Sequence, residues 1–149
     1  MTVDEILAPE DALVGLRAAS KMALLEAVAG RAADRLGLAA EAILAPVARR
    51  EGLGSTGVGD GVALPHARLE GLDRPFGLLA RLRDPVDFDA VDDRPVDLVF
   101  LLLLPVDGEA RNLNALACVA RWLRDPGTAA SLRAARDAAA LHAVVGGRA

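Results

Sequence analysis

The sequence predicts a single α/β domain in which helices flank both sides of a mixed central sheet. Candidate strands and amphipathic helices are interspersed along the chain, which is typical of this class. The run PVDLVFLLLL is apolar at nearly every position, as a strand buried on both faces should be. The 149 residues match the usual size of one domain, and no repeat, low-complexity tract or linker divides them.

Four short apolar runs are the candidate strands, and glycine or proline bounds most of them. They are ALVGL at 12–16, GVALP at 61–65, PFGLLARL at 75–82 and PVDLVFLLLL at 95–104.

Three longer segments have helical periodicity. Ser20 is placed to cap a first helix that Gly37 ends. A second helix is predicted over 40–51, although Pro46 should kink or shorten it. A third helix is predicted over 109–124, and one or two short helices over 128–146 complete the chain. The predicted apolar stripes are Met22, Leu25, Val28, Ala32 and Leu36 in the first helix, and Leu113, Leu116, Ala120 and Leu123 in the third.

Composition excludes several classes of protein. The chain is 53% hydrophobic but only 3% aromatic, its net charge is −4 and Lys21 is its one lysine, a pattern that disfavours nucleic-acid binding. No run approaches the ~20 apolar residues of a membrane span, and the N-terminus does not resemble a signal peptide. We therefore expect a cytoplasmic protein without direct membrane insertion. The single cysteine, Cys118, is expected to be a buried helical thiol.

The stretch GSTGVGDGVALPH, from Gly54 to His66, holds four glycines and one of the two histidines. The spacing of its glycines does not match the motif of a P-loop, of a dinucleotide-binding fold or of a nucleophile elbow. His66 and the distant His142 are too few to bind a metal, and His142 is expected to be structural or solvent-facing. No metal and no cofactor are predicted.

The same stretch suits a phosphoryl acceptor. Glycine-rich turns let backbone amides approach an anion, and Ser55 and Thr56 add hydroxyl donors. Arg50 offers a charge-assisted fork, and His66 offers a nucleophilic nitrogen that is neutral over much of the physiological range. A plain turn followed by a surface histidine explains the spacing equally well, so the residues alone leave both interpretations open.

The segment from Arg49 to Glu70 resembles the active-site signature of the type 2 enzyme IIA domains of the phosphoenolpyruvate-dependent phosphotransferase system. The matching features are Arg50-Glu51, the Gly-Ser-Thr-Gly turn at 54–57, Gly59, Gly61 and Pro65-His66. The likeness extends over most of the chain and is greatest to the nitrogen-related regulatory branch. It implies that His66 accepts phosphate from a phosphorylated histidine carrier protein, with a regulatory target or a IIB domain downstream. The sequence does not determine which ring nitrogen is modified, and we expect Nε2.

One position departs from the family pattern. Family members commonly carry a second histidine where this chain has Asn112, and some carry another where it has Asn114. An asparagine amide can donate a hydrogen bond to a phosphoryl oxygen, and a helix N-terminus favours anions. It cannot carry positive charge or transfer a proton. The change disfavours fast onward transfer to a sugar permease.

Three functions remain open from the sequence. The preferred one is a regulatory protein whose phosphorylation at His66, supported by Arg50, Ser55, Thr56 and Asn112, controls protein contacts. The first alternative is a soluble IIA subunit that passes phosphate to a fructose- or mannitol-type permease. The second is a binding module that keeps the fold without phosphorylation.

Overall fold

A computed structural model describes residues 1–146 and shows six strands in one sheet. The strands are β1 (Ala12–Leu16), β2 (Gly57–Gly59), β3 (Val62–Ala63), β4 (His66–Leu69), β5 (Phe76–Val86) and β6 (Val96–Pro105). Their order is β1-β5-β6-β3-β2, and β4 also pairs with β6. The β1–β5, β3–β6 and β4–β6 pairs are parallel, whereas β5–β6 and β2–β3 are antiparallel. The sheet is therefore mixed, as predicted.

Five α-helices surround the sheet within the described residues. They are α1 (Lys21–Leu36), α2 (Ala40–Gly52), α3 (Glu109–Arg124), α4 (Pro126–Ala134) and α5 (Ala138–Ala143). Ser20 caps α1 by accepting the Ala23 N–H, and Gly37 ends it in the left-handed conformation, as predicted. α2 continues through Pro46, so the expected shortening is wrong. No helix within residues 1–146 combines the length and apolar character that crossing a bilayer requires.

Helices cover both faces of the sheet, which confirms the predicted architecture. α1 and α2 pack on one face, and α3, α4 and α5 pack on the other together with the N-terminal segment. In β6, Val99, Leu101 and Leu103 face the first core, while Leu98 and Phe100 face the second. This alternation explains why β6 is apolar at successive positions. Residues 147–149 of the predicted 1–149 domain lie outside the described residues.

The predicted apolar stripes are partly wrong. In α3 the buried residues are Asn112, Ala115, Val119 and Leu123, so the stripe is shifted and Leu113 is exposed. Met22 is also exposed, because it lies on the outer side of α1. Cys118 is only partly buried, and its thiol donates to the Met1 carbonyl oxygen at 3.3 Å.

The predicted strand over 61–65 is shorter in the structure, where β3 covers only Val62–Ala63. A separate strand, β4, follows after Pro65, and the two line the same edge of β6 one after the other. Pro65 separates them because it has no N–H to contribute to a ladder. Its carbonyl oxygen nevertheless accepts the Leu102 N–H at 2.9 Å, which keeps the chain against β6. His66 therefore begins β4 and does not end the strand that precedes it.

Candidate functional site

The His66 ring is held in one tautomer by the backbone beside it. Its Nδ1 atom lies 2.9 Å from the Leu64 carbonyl oxygen. Because a carbonyl oxygen only accepts hydrogen bonds, Nδ1 carries the proton. The lone pair of the neutral ring is consequently on Nε2, the nitrogen that we expect to be the acceptor.

His66 lies on a surface cavity of about 430 Å³. Arg50, from the last turn of α2, and Asn112, from the first turn of α3, line the same cavity. The structure thus brings together three of the five predicted site residues, although they are far apart in sequence. The rest of the wall is mainly apolar and also includes two further arginines. These residues are Pro46, Leu53, Ala67, Leu104, Leu113 and Leu116, with Arg49 and Arg68.

The environment lowers the pKa of His66 below 6.5. Burial is the largest cause, because it disfavours the charged ring. The Leu64 carbonyl oxygen opposes this effect, the Arg50 charge lowers the pKa further, and the Glu51 charge raises it. The net result favours the neutral ring, which is the nucleophilic form.

We predict that the imidazole of His66 titrates with a midpoint below 6.5 in an NMR titration of its Cε1 proton. Because its pKa is lowered, the ring keeps the Nε2 lone pair as the pH falls through 6.5 and loses it only at more acidic pH. A short histidine peptide in the same buffer provides the reference midpoint. A midpoint at or above that of the peptide would contradict the account of this site.

Arg50 supplies positive charge to the cavity. Its Nη1 atom donates to the Gly54 carbonyl oxygen at 2.9 Å, which fixes the guanidinium beside the glycine turn. Glu51, which follows it in sequence, forms its ion pair with Lys21 instead. Among the described residues Arg50 pairs with no carboxylate, so its charge remains uncompensated at the cavity wall.

Ser55 and Thr56 use their hydroxyls inside the turn. The Ser55 hydroxyl donates to the Phe88 carbonyl oxygen at 2.8 Å and accepts the Gly57 N–H at 3.0 Å. The Thr56 hydroxyl donates to a carboxylate oxygen of Glu51. Neither residue lines the cavity with His66. Their contacts hold the shape of the turn, and the structure does not place them with the three cavity residues.

Asn112 is buried beside the cavity, with 2% of its surface exposed. Its Nδ2 atom donates to the Pro105 carbonyl oxygen at 2.8 Å, which ties α3 to the end of β6. Its Oδ1 atom is the one buried side-chain oxygen or nitrogen without a partner within residues 1–146. An unpaired buried polar atom is costly, so Asn112 has spare capacity to bind a donor at this position.

Three charged residues at or beside the cavity, Arg49, Glu51 and Arg68, gained no role from sequence reasoning. Glu51 appears in the motif, but its contacts with Lys21 and Thr56 depend on tertiary structure. Arg68, two residues after His66, lines the cavity and pairs with Glu109 at 2.6 Å, which links β4 to α3. Within the described part of the chain, no three His, Cys, Asp or Glu side chains lie close enough together to hold a metal ion.

The family follows from comparison with known proteins. Residues 5–146 match the family described as "Phosphoenolpyruvate-dependent sugar phosphotransferase system, EIIA 2". Since the match covers nearly the whole chain, the protein belongs to this family of phosphotransferase components. The resemblance carried by the glycine turn and Pro65-His66 is thereby confirmed.

Several similar proteins carry the name nitrogen regulatory protein. The chain is 46% identical over 145 residues to the nitrogen regulatory protein of Bradyrhizobium diazoefficiens, covering 97% of this chain and 95% of that protein. It is 40% identical over 144 residues to the nitrogen regulatory protein of Pseudomonas aeruginosa, and this match covers 96% of this chain and 94% of that protein. The crystal structure of nitrogen regulatory protein IIA-Ntr from Neisseria meningitidis matches with a TM-score of 0.89 at 32% identity. This match covers 96% of this chain and 98% of that structure's chain.

Proposed function

We propose that this protein accepts a phosphoryl group from a phosphohistidine carrier onto Nε2 of His66, and that its phosphorylation state controls a protein contact. The observation that carries the proposal is the Nδ1–H···O hydrogen bond to Leu64 in a ring that lines the cavity. It presents a neutral nucleophile that needs no base to remove a proton from Nε2.

The reaction is an in-line exchange of one P–N bond for another. Nε2 of His66 uses its lone pair to form the new bond to phosphorus, while the bond between phosphorus and the carrier's ring nitrogen breaks. The electron pair of the broken bond returns to the carrier's ring. The positive charge that the His66 ring gains is stabilised at Nδ1–H by the Leu64 carbonyl oxygen.

Positive groups around the cavity favour the transferring phosphoryl group. Arg50 contributes a full charge at the cavity wall, and Asn112 lies in the first turn of α3, the helix end whose dipole favours anions. No metal ion takes part in this scheme. Ser55 and Thr56 contribute by shaping the turn, with the hydrogen bonds they make inside it.

The proposal is tested by transfer of radiolabelled phosphate from phosphoenolpyruvate through enzyme I and a histidine carrier. We expect an acid-labile, alkali-stable label on this protein, as phosphohistidine gives, and none when the carrier is omitted. No label in the complete mixture, with a carrier shown to be phosphorylated, would favour the binding module that keeps the fold without phosphorylation.

Asn112 favours regulation over sugar transport. Its amide neither carries charge nor transfers a proton, so it cannot replace a second histidine in passing the phosphoryl group onward. We therefore infer a phosphoprotein that holds its label for a regulatory target. Rapid loss of the label to a IIB domain would instead support a transport subunit. Operation in the cytoplasm, where the phosphoenolpyruvate-dependent donors act, belongs to the same proposal.

The cavity rim is suited to docking of a protein. Leu53 is 83% exposed at the edge of the cavity, and Leu113 faces it from α3. Exposed large apolar side chains grouped at a reactive cavity are typical of an interaction surface. A carrier that delivers a phosphohistidine must cover this rim to bring its ring to His66.

We predict that Leu53→Gln slows phosphorylation by the carrier about 10- to 100-fold, because one leucine buried in an interface contributes roughly 1.5–3 kcal/mol. The matched control is Val91→Gln, since Val91 is 79% exposed but does not line the cavity. Initial labelling rates at limiting carrier measure the effect. Equal rates for the two variants would show that the rim is not the docking surface.

A further inference from the structure

Lys21 and Glu51 each lie at the helix end that disfavours their charge. Lys21 is the first residue of α1, where the helix dipole favours anions, and Glu51 is in the last turn of α2, where it favours cations. Their Nζ and Oε1 atoms are 3.1 Å apart. Lys21 also lies over the Phe88 ring, 4.6 Å from its centroid. The two charges compensate each other at these helix ends, and Lys21 Nζ also lies 3.7 Å from Oδ2 of the exposed Asp89.

Glu51 uses both carboxylate oxygens to hold Thr56. The residue is only 8% exposed. Its Oε1 and Oε2 atoms accept the Thr56 N–H at 3.0 and 3.1 Å, and Oε2 also accepts the Thr56 hydroxyl. A buried carboxylate with this many charge-assisted bonds fixes the backbone of the residue that it binds.

Thr56 is linked in turn to the His66 ring. The Thr56 carbonyl oxygen accepts the Leu64 N–H at 2.9 Å. The Leu64 carbonyl oxygen accepts Nδ1–H of His66, also at 2.9 Å. An unbroken series of short contacts therefore runs from the first turn of α1, through the end of α2 and the glycine turn, to the imidazole.

We propose that Lys21 and Glu51 are positioning residues that select the Nδ1–H tautomer of His66 through Thr56 and Leu64. Neither residue lines the cavity with His66. If the pair is broken, the glycine turn relaxes, the Leu64 carbonyl oxygen moves and the ring gains access to the Nε2–H tautomer. That tautomer has no lone pair on Nε2. The consequence for phosphoryl acceptance rests on the proposed function, whereas the tautomer itself does not.

The experiment measures the ring ¹⁵N chemical shifts of His66 in the full-length, unphosphorylated protein, at a pH of about 8 where the ring is neutral. Lys21→Met keeps an unbranched apolar side chain over Phe88 and removes the charge. Glu51→Gln leaves one side-chain oxygen to accept hydrogen bonds from Thr56, where the carboxylate of Glu51 offers two. Lys21→Arg restores the charge, and Arg31→Met removes an exposed cation from the same helix as a matched control.

We expect a protonated Nδ1 in the wild type, Lys21→Arg and Arg31→Met, and a mixture of tautomers in Lys21→Met and Glu51→Gln. The labelling rate should fall about fivefold in the last two, on the order of the loss of one hydrogen bond. Unchanged ring shifts in both variants, with native-like amide spectra, would overturn the proposal. A change in Glu51→Gln alone would overturn the role of Lys21.

If Lys21→Met or Glu51→Gln does not fold, the double variant Lys21→Met/Glu51→Gln takes its place. The double variant removes both charges, so neither is left buried without its partner. Mixed tautomers in the double variant support the proposal, and an unchanged Nδ1–H tautomer contradicts it. The tautomer is read without any donor protein. A wild type that takes no label therefore refutes the proposed function alone, and unchanged tautomers in variants of a labelled wild type refute only the positioning pair.

Discussion

His66→Ala is expected to reduce phosphate labelling to background while the protein remains folded. The substitution removes the one nitrogen in the cavity whose lone pair is held ready by the Leu64 carbonyl oxygen. His66 is only partly buried and begins a short strand, so alanine leaves the two cores of the sheet unchanged. The label is counted after transfer from phosphoenolpyruvate, and circular dichroism reports the fold.

The matched control is His142→Gln, since His142 is the other histidine of the chain. Its Nε2 atom lies 3.1 Å from the Leu7 carbonyl oxygen, on the opposite face of the sheet from α1 and α2. A glutamine can keep this contact by donating from its side-chain amide. His142→Gln should take label at the wild-type rate. Full labelling of His66→Ala, or none of His142→Gln, would refute the site assignment.

Gly57→Ala is expected to lower the free energy of unfolding by about 1–3 kcal/mol, the usual cost of overpacking. A Cβ atom at Gly57 would lie 2.8 Å from the Ala90 Cβ and 3.0 Å from the Ala90 Cα. Backbone that close cannot move aside cheaply, so the glycine turn must shift instead. Because the turn leads from Thr56 to His66, labelling should slow as well. Chemical denaturation and initial labelling rates measure the two effects.

Gly52→Ala is the matched control, because a Cβ atom at Gly52 would meet nothing within 4 Å and the residue ends α2. We expect this variant to gain about 0.4–1 kcal/mol, since alanine reduces the conformational entropy of the unfolded chain. It should take label normally. If both glycine variants had the same stability, the close approach at Gly57 would not be what requires glycine there.

The sequence was sufficient for the elements whose patterns are strong and local. β6 and α3 were predicted with nearly their observed bounds, because one is a continuous apolar run and the other lies between Gly108 and Pro126. His66 became a candidate through the length of its motif. Without the resemblance, the glycine pattern leaves two interpretations open, a phosphoryl acceptor and a plain turn followed by a surface histidine.

The buried face of α3 and the separation of β3 from β4 depend on tertiary contacts that the sequence pattern does not reveal. The buried face of α3 carries Asn112 and Ala115, whereas Leu113 is exposed at the cavity rim, so hydrophobicity alone selects the wrong stripe. The separation of β3 from β4 depends on Pro65 accepting a ladder hydrogen bond without donating one.

The contacts of Lys21 with Glu51 could not be predicted either, because they join residues from two helices whose packing is set by the sheet. Spacing also does not predict that Arg50 and Asn112 converge on His66. These two residues come from helices on opposite sides of the sheet. Sequence spacing carries no information on such distances. Only the resemblance to the family connected Arg50 and Asn112 to His66 beforehand.

The central claim is that Nε2 of His66 accepts the phosphoryl group, and NMR of the phosphorylated, ¹⁵N-histidine-labelled protein tests it most directly. We predict that phosphorus is coupled to Nε2 of His66 while Nδ1 remains protonated and bound to the Leu64 carbonyl oxygen. Coupling to Nδ1, or a phosphohistidine signal that persists in His66→Ala, would contradict the account.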